Sequence, residues 1–511
     1  MASPVTRLIL IFLLSFSGVT MGQELPPVIN FDPIEYGAGN QNWMISQGED
    51  KKIYVANGLG LLEYTGTSWN LYPVPNKTIV RSVKVVEDKI FTGAYMELGY
   101  WTSTNSGSLE YTSLLPLFPG GVNDGEQFWH IERVGNAVVF QSFEGIYLYD
   151  LEKNEITVLE TPPGAIMNLF KVEERLYFFT AEKGLFTIEK GVAKQVITNQ
   201  ALGNLEVMQL LPHDRGLELI TRSGKIYIWN GQSLEQEFEE LSAKLSGISV
   251  FSAVDSGDGT MFIGSVENGV YHVDKDGEII HHFRQENGLQ NNTVLDLFLD
   301  SEKNMWAGLD NGLSVINPDS AFKIFQDNVG RIGTVYSSIK KDSVLYLGTN
   351  QGLYFRKDSE KDFEFIEGTN GQVWSLQLVD STLFCGHNNG TFVVEGEKAR
   401  KISDRLGTWT VVKLKDRKDA YVQGHYNGIS LLLKENGEFK DLPKIKDFPH
   451  SSKHIVSETD GDLWIGNEHK GVFRLKLKDS LNEIEDLKIY DFENINAVSY
   501  THLTLPTKRI V

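Results

Sequence analysis

Apolar and polar residues alternate along this chain in one short repeated unit. An apolar, β-rich run is followed by a tight polar turn that contains glycine, and a second apolar run follows the turn. Such runs predict antiparallel strands joined by hairpins. The unit appears in the segments Ile53–Leu62, Met261–Tyr271, Met305–Leu313, Leu345–Leu353 and Leu463–Val472, and the clearest copies are Met305–Leu313 and Leu345–Leu353.

The turn glycines recur with a regular period. They are Gly60, Gly99, Gly145, Gly184, Gly224, Gly269, Gly312, Gly352, Gly390, Gly428 and Gly471. Their mean spacing is about 41 residues, which is the length of a four-stranded propeller blade. A hairpin turn of two to four residues needs positive φ, and glycine adopts it at the least cost. The pattern predicts an all-β fold of tandem β-propellers, with one seven-bladed propeller and about four blades of a second.

Other strands of the blade are also visible in the sequence. Alternating segments before the repeated runs predict inner strands at Arg81–Val85, Asn292–Leu297 and Gln372–Leu376. Ser68–Tyr72 predicts an outer strand. Long amphipathic helix patterns are absent, which disfavours a helical solenoid.

The repeat resembles that of the two-component regulator propeller family. The matching pattern is V-x-x-apolar, then D-x-x-G-x-L-W-I-G-T-x-x-G-L, and its best copies are Asn292–Val315 and His454–Phe473. The opening Asn40–Ser46 with Tyr54–Asn57 looks like the first blade of such regulators. The resemblance implies two periplasmic seven-bladed propellers, a triple-tyrosine β-sandwich, one transmembrane helix and a cytoplasmic output. It also implies a homodimer that detects glycan fragments.

The resemblance implies two alternative outputs. One is a LuxR-type helix-turn-helix, which would bind DNA, and the other is a histidine kinase of the hybrid two-component type. Both would lie beyond this chain, as would the membrane helix. Of the two, we favour the LuxR-type form because the opening segment looks like that of such regulators.

These patterns divide the chain into four parts. Residues 1–22 read as a signal peptide, with Arg7 before the apolar run Leu8–Phe16 and small residues at Thr20 and Gly22. Residues 23–320 would form the first propeller, and residues 321–497 would form part of the second. Residues 498–511 are interpreted as an artefact, because Val498–Thr507 resembles one reading frame of a sequencing adapter. The expected location is the periplasm.

Composition narrows the chemistry. The formal charge of −20 argues against nucleic-acid contact by this part of the protein, because phosphates need a positive field. Cys385, the only cysteine, lies in an apolar run and is expected in the core. No nucleophile elbow, phosphate-binding loop, dinucleotide fingerprint or zinc motif occurs, so no catalytic residue, cofactor or metal site is predicted.

A small ligand, such as an oligosaccharide, remains the predicted partner. Propellers bind ligands where the loops that enter the inner strands meet the loops between strands two and three. The first set of loops contributes Trp43, Arg81, Trp129, Trp374 and Trp409. The second set contributes Tyr95, Glu144, Arg222, Asp310, Asn350, His387, His425 and His469. Aromatic faces stack on sugar rings, and charged or amide groups bond hydroxyls. The alternative interpretations are blade packing for each Trp and turn formation for each Asn or His.

Three functions remain possible. The first is the ligand-sensing region of a membrane-spanning regulator, and the second is an exported propeller enzyme such as a lyase or a sialidase-like hydrolase. The third is a scaffold that binds protein partners, which a flat, apolar face without a pocket would favour. A central pocket of aromatics and amides would favour sensing. A cluster of carboxylates with His or Tyr would favour catalysis.

Overall fold

The computed structural model describes residues 24–118, 121–189, 191–325, 330–358, 360 and 362–491. The chain divides into two compact units: Glu24–Gln326 forms the first, and residues 330–491 lie in the second. The signal peptide predicted at 1–22 and the artefact predicted at 498–511 lie outside the described residues.

The first unit is built almost entirely of short strands. In chain order these are β1 Glu24–Leu25, β2 Val28–Phe31, β3 Asn42–Gln47, β4 Ile53–Asn57, β5 Gly60–Tyr64, β6 Trp69–Tyr72, β7 Val80–Val86, β8 Lys89–Ala94, β9 Glu97–Ser103, β10 Leu109–Ser113, β11 His130–Val134, β12 Ala137–Gln141, β13 Ile146–Asp150, β14 Glu155–Val158, β15 Ile166–Val172, β16 Arg175–Thr180, β17 Gly184–Glu189, β18 Val192–Thr198, β19 Val207–His213, β20 Gly216–Thr221, β21 Ile226–Trp229, β22 Leu234–Glu237, β23 Val250–Asp255, β24 Met261–Ser265, β25 Val270–Val273, β26 Ile279–Phe283, β27 Val294–Leu299, β28 Met305–Leu309, β29 Leu313–Ile316 and β30 Ile324–Phe325.

Helical structure in the described residues is confined to short segments. These are α1 Pro33–Tyr36, α2 Asn199–Leu202, α3 Glu239–Lys244 and the 3₁₀ turns Leu115–Leu117 and Gln285–Asn287. No helix in the described part of the chain is long and apolar enough to span a membrane.

The strands of the first unit form seven four-stranded antiparallel blades. Blades 1 to 6 take consecutive strands, from β3–β6 through β23–β26. Blade 7 consists of β27, β28 and β29, and the N-terminal strand β2 completes it as the fourth strand. The innermost strand of each blade contacts that of the next, and β27 contacts β3, so the ring is closed.

The second unit contains four further blades among its described residues, which we number 8 to 11. Each consists of four consecutive antiparallel strands. The strands are β31 Val335–Lys341, β32 Val344–Thr349, β33 Leu353–Lys357, β34 Glu364–Phe365, β35 Val373–Val379, β36 Thr382–His387, β37 Gly390–Glu395, β38 Lys398–Ser403, β39 Thr410–Lys413, β40 Ala420–His425, β41 Gly428–Glu435, β42 Glu438–Asp441, β43 His454–Ser457, β44 Asp462–Asn467, β45 Gly471–Leu477 and β46 Ile484–Tyr490. The all-β, tandem-propeller prediction is confirmed.

The core of each unit lies between the faces of neighbouring blades. All five residues of β28 are buried, because a central strand of a blade is covered on both faces. Most residues of the outermost strand β18 are only partly covered or exposed. Between blades 1 and 2, Met44 and Tyr54 pack against Val80 and Val83. Continuous apolar runs in the central strands follow from this packing.

The turn glycines have a second role that the pattern did not show. All of them except Gly99 and Gly145 have positive φ, as predicted. Gly99 lies inside β9, and the positive φ of that turn belongs to Met96 instead. A Cβ at Gly99 would stand 2.2 Å from the carbonyl oxygen of Thr112, and one at Gly269 would stand 2.1 Å from that of Phe283. Glycine is therefore required because the outer strand passes too close for any side chain.

The first unit extends a few residues beyond the expected boundary at Ser320. The reason is a two-residue pairing in which Glu24 faces Phe325 and Leu25 faces Ile324. This pair ties both ends of the unit together.

Candidate ligand cavity

In six of the seven blades of the first unit, a β-bulge near the start of the innermost strand directs one residue toward the centre; the β11–β12 pairing of blade 3 is regular. In blade 1 the pairing of β3 with β4 skips Trp43, and in blade 2 the pairing of β7 with β8 skips Arg81. The skipped residues in blades 4 to 7 are Met167, Met208, Phe251 and Leu295. Bulges often re-aim side chains at functional sites. Every one of these residues lines the same cavity.

The cavity occupies the centre of the seven blades and has a volume of about 390 Å³. This volume lies in the range of small-molecule sites. Its aromatic lining consists of Trp43, Trp129, Phe143, Phe170 and Phe251. Its amide lining consists of Gln141, Asn168 and Gln209, and its ionisable lining of Arg81, His130, Glu206, Arg222 and Asp296.

Arg81 lies between two tryptophan rings at this cavity. Its guanidinium carbon is 4.2 Å from the ring centre of Trp43 and 4.3 Å from that of Trp129. The two rings meet edge to face, with their centres 5.8 Å apart. Nε of Arg81 donates to Oε1 of Gln127 at 2.9 Å. Burial lowers the pKa of Arg81 to about 10, so the side chain stays charged at neutral pH.

Glu206 and Arg222 form a two-pronged ion pair on blade 5. Nε of Arg222 donates to Oε2 of Glu206 at 2.6 Å, and Nη2 donates to Oε1 at 2.7 Å. Glu206 precedes β19, whereas Arg222 follows β20 in the loop between strands two and three. The pair therefore joins the two kinds of loop from which a propeller site is built. Both carboxylate oxygens of Glu206 are occupied by this pairing.

Asp296 supplies a second carboxyl group to the cavity. Its Oδ2 accepts a hydrogen bond from the backbone N–H of Ile45 at 2.8 Å, which links blade 7 to blade 1. Burial raises the pKa of Asp296 to about 7, although the Ile45 hydrogen bond opposes that shift. Near neutral pH this group is therefore divided between its charged and neutral forms.

The three amide side chains tie neighbouring blades together. Gln141 donates to the carbonyl of Ile166 at 2.8 Å, and Asn168 donates to that of Val207 at 2.9 Å. Gln209 donates to the carbonyl of Ala253 at 2.7 Å. Because their N–H groups are engaged with the next blade, these amides make the cavity wall rigid.

The remaining sequence-predicted residues of the first unit lie outside the cavity lining. Tyr95 is 37% exposed, and its carbonyl accepts a hydrogen bond from Asn76 at 2.9 Å. Glu144 lies in the turn between β12 and β13, where its backbone N–H donates to Oγ of Ser142 at 3.1 Å. Asp310 accepts a hydrogen bond from Nε2 of Gln41 at 2.8 Å. The structure thus brings together Trp43, Arg81, Trp129 and Arg222.

In the second unit, Trp374 and Trp409 lie side by side on neighbouring blades, with ring centres 4.9 Å apart. Tyr336, the residue skipped by the bulge in β31, lies 5.1 Å from Trp374. Tyr426 accepts a hydrogen bond from Nε1 of Trp374 at 2.8 Å. Four aromatic rings therefore form one cluster, in which Tyr336 and Tyr426 join the two predicted tryptophans.

The predicted polar residues of the second unit serve its turns and core. Asn350 accepts from the backbone N–H of Thr334 at 2.8 Å. His387 is fully buried, where Nδ1 accepts from the N–H of Asn389 at 3.1 Å. His425 is also buried, 2.7 Å from Oγ of Ser430. His469 is exposed in a turn. Among the described residues, no group of three metal-ligating side chains occurs.

Sequence reasoning missed most of the cavity wall. Met167, Met208, Phe251 and Leu295 occupy the same blade position as Trp43 and Arg81, so a register based on the blade repeat could have identified them. Asp296 lies within the predicted inner strand Asn292–Leu297 but carries no motif of its own. The bulges were not visible, because no residue type marks them.

Comparisons with known proteins identify the fold. No family model matches the chain, and no curated protein matches it. The extracellular domain of a putative hybrid two-component system from B. thetaiotaomicron has 16% identity and a TM-score of 0.65, over 91% of this chain and 66% of that one. The extracellular domain of a putative one-component system from the same organism has 15% identity and a TM-score of 0.46, over 92% and 67%.

A catalytically inactive virginiamycin B lyase from Staphylococcus aureus has 11% identity and a TM-score of 0.46, over 57% of this chain and 99% of that one. The chain spans about two thirds of the length of the two extracellular domains. At these identities the likeness concerns the fold, and the match with a TM-score of 0.65 agrees with an array of β-propeller blades.

Proposed function

We propose that this chain is the ligand-sensing region of an extracytoplasmic receptor and that its ligand binds in the central cavity of the first unit. The observation that carries the proposal is the convergence of bulge residues from successive blades on one cavity with an aromatic and amide lining. The fold shared with the extracellular domain of a putative hybrid two-component system supports a receptor role.

The lining favours binding over catalysis. Its two carboxyl groups belong to Glu206 and Asp296. Arg222 donates hydrogen bonds to both oxygens of Glu206, and Oδ2 of Asp296 accepts one from the backbone N–H of Ile45, so these three carboxyl oxygens are already engaged within the protein. The aromatic and amide side chains suit a ligand that offers both apolar faces and hydroxyl groups, such as a sugar.

The rest of the receptor is part of the same proposal. The sequence resemblance supports export to the periplasm, a homodimer and a membrane helix beyond this chain. For the output we propose a LuxR-type helix-turn-helix, with a histidine kinase of the hybrid type as the alternative. Recovery of the complete gene by long-read sequencing would distinguish the two outputs.

Ligand binding can be tested on the chain itself. A panel of oligosaccharides is screened by thermal shift, and binders are titrated by intrinsic tryptophan fluorescence. Trp129→Ala should weaken binding at least tenfold, because it removes an aromatic wall. Trp229→Ala is the matched control, since Trp229 belongs to the same unit but does not line the cavity.

Two results would contradict the proposal. Equal affinity in the wild type and in Trp129→Ala would place the ligand elsewhere. Conversion of a bound sugar into a product, detected by chromatography, would favour the enzyme alternative.

A further inference from the structure

The cavity contains a cation without a protein counter-ion. Nη1 of Arg81 is buried and has no hydrogen-bond partner in the described part of the chain. Among the described residues, this guanidinium makes one hydrogen bond, which Nε donates to Oε1 of the neutral amide of Gln127. Buried guanidinium groups are normally paired with carboxylates, because an unpaired buried donor is costly.

The other charges of the cavity offset that of Arg81 only in part. Glu206 is already neutralised by Arg222 through two short hydrogen bonds. Asp296 accepts a hydrogen bond from the backbone N–H of Ile45 and, with a pKa raised by burial to about 7, carries only part of a negative charge near neutral pH. The lining of the cavity therefore carries an excess of positive charge, although the chain as a whole has a formal charge of −20.

The two tryptophans hold the Arg81 guanidinium in a fixed position in which it can bind an anion. Rings at 4.2 Å and 4.3 Å fix the plane of the guanidinium, so little side-chain freedom is lost when a ligand binds. A planar guanidinium matches the two oxygens of a carboxylate better than it matches a single hydroxyl. The neighbouring Phe143, which stacks on Trp129 at 5.2 Å and is 40% exposed, offers an apolar surface beside that charge.

We propose that the ligand of this cavity is an acidic sugar whose carboxylate pairs with the guanidinium of Arg81. The inference rests on the proposed ligand-binding function of the cavity and adds the chemical class of the ligand. The carboxylate supplies the missing counter-ion, and the apolar wall contacts the C–H face of the sugar ring. A neutral sugar would leave the charge of Arg81 uncompensated.

The test compares matched probes on the full chain. Calorimetric titration is done with digalacturonic acid and with the neutral galactose disaccharide of the same linkage. The acidic probe should bind at least tenfold more tightly. Arg81→Met should abolish this preference and Arg81→Lys should retain part of it. Arg133→Met is the control, because Arg133 pairs with Glu87 outside the cavity. Thermal unfolding verifies that each variant is folded, and the comparison of probes on the wild type needs no variant.

Each outcome separates the inference from the proposed function. Equal binding of the two probes, or an unchanged preference in Arg81→Met, overturns the acidic ligand but leaves the cavity as a binding site. If galactose 6-sulfate binds and digalacturonic acid does not, the proposal that Arg81 pairs with a carboxylate is also overturned. If a probe binds but Trp129→Ala binds it equally well, the cavity itself is excluded and both proposals fail. If no probe binds, the acidic-sugar inference fails, and the oligosaccharide panel decides the proposed function alone.

Discussion

Phe31 lies directly opposite Leu313 in an antiparallel strand pair, although in the sequence one residue is near the start of the first unit and the other is near its end. Through this pair the N-terminal strand β2 completes blade 7. The Phe31 ring is almost fully buried and contacts the rings of Tyr64, Trp69 and Trp306, which belong to blades 1 and 7. The Phe31 side chain therefore packs at the junction where the ring closes.

Phe31→Ala should destabilise the first unit by about 3–5 kcal/mol, because it leaves a cavity where three aromatic rings meet. Ile29→Ala on the same strand is the control, since Ile29 is 58% exposed and its loss should cost about 0.5 kcal/mol or less. Urea denaturation followed by tryptophan fluorescence measures both. Similar midpoints for the two variants would show that closure does not depend on Phe31.

The two units should differ in stability when expressed separately. We expect residues 24–326 to unfold cooperatively, because every blade face in the ring is covered. We expect residues 321–497 to be aggregation-prone, since apolar side chains are exposed on both blade 8 and blade 11. These are Val335, Tyr336, Val456 and Ile489. A sharp thermal transition of a monomeric second fragment would disprove this prediction.

Cys385 should report unfolding of the second unit. The thiol is fully buried in β36, as the sequence predicted, and burial raises its pKa above the ordinary value. Only the thiolate reacts quickly with disulfide reagents. We therefore expect no labelling of the native chain at pH 8 and stoichiometric labelling in denaturant. Rapid labelling without denaturant would mean that blade 9 opens readily.

Glu218 should make the first unit less stable as the pH rises. Burial, reinforced by Asp255 and Glu237, raises the pKa of Glu218 from 4.5 to about 7. The folded state then binds more protons than the unfolded state between these two values. The free energy of unfolding should consequently fall by up to about 3 kcal/mol as the pH rises from 4.5 through 7.

Glu218→Gln provides the comparison, because it keeps the shape and removes the titration. The slope of unfolding free energy against pH should become smaller in this variant across the same range. Denaturant titrations at pH 5, 6, 7 and 8 measure the slopes. Identical slopes in both proteins would show that Glu218 keeps an ordinary pKa.

Local sequence determined the blades. Most glycines of the repeat are required within one hairpin or between adjacent strands, as Gly269 is beside Phe283, and these short-range requirements place a glycine about every 41 residues. The central strands are likewise readable, because burial on both faces requires continuous apolar runs such as Met305–Leu309. The glycine period and the apolar runs therefore predicted the strand content, the blade length and the burial of Cys385.

Only the tertiary structure decided how the blades close and what they enclose. The sequence Val28–Phe31 does not indicate that β29 is its partner strand. The two strands are separated by almost three hundred residues, and they pair only after the chain has passed around the whole ring. The cavity likewise joins single residues from different blades, which bulges turn toward the centre. Trp43, Arg81 and Trp129 could be proposed from blade position, but the contact between their side chains arises only when blades 1, 2 and 3 pack side by side.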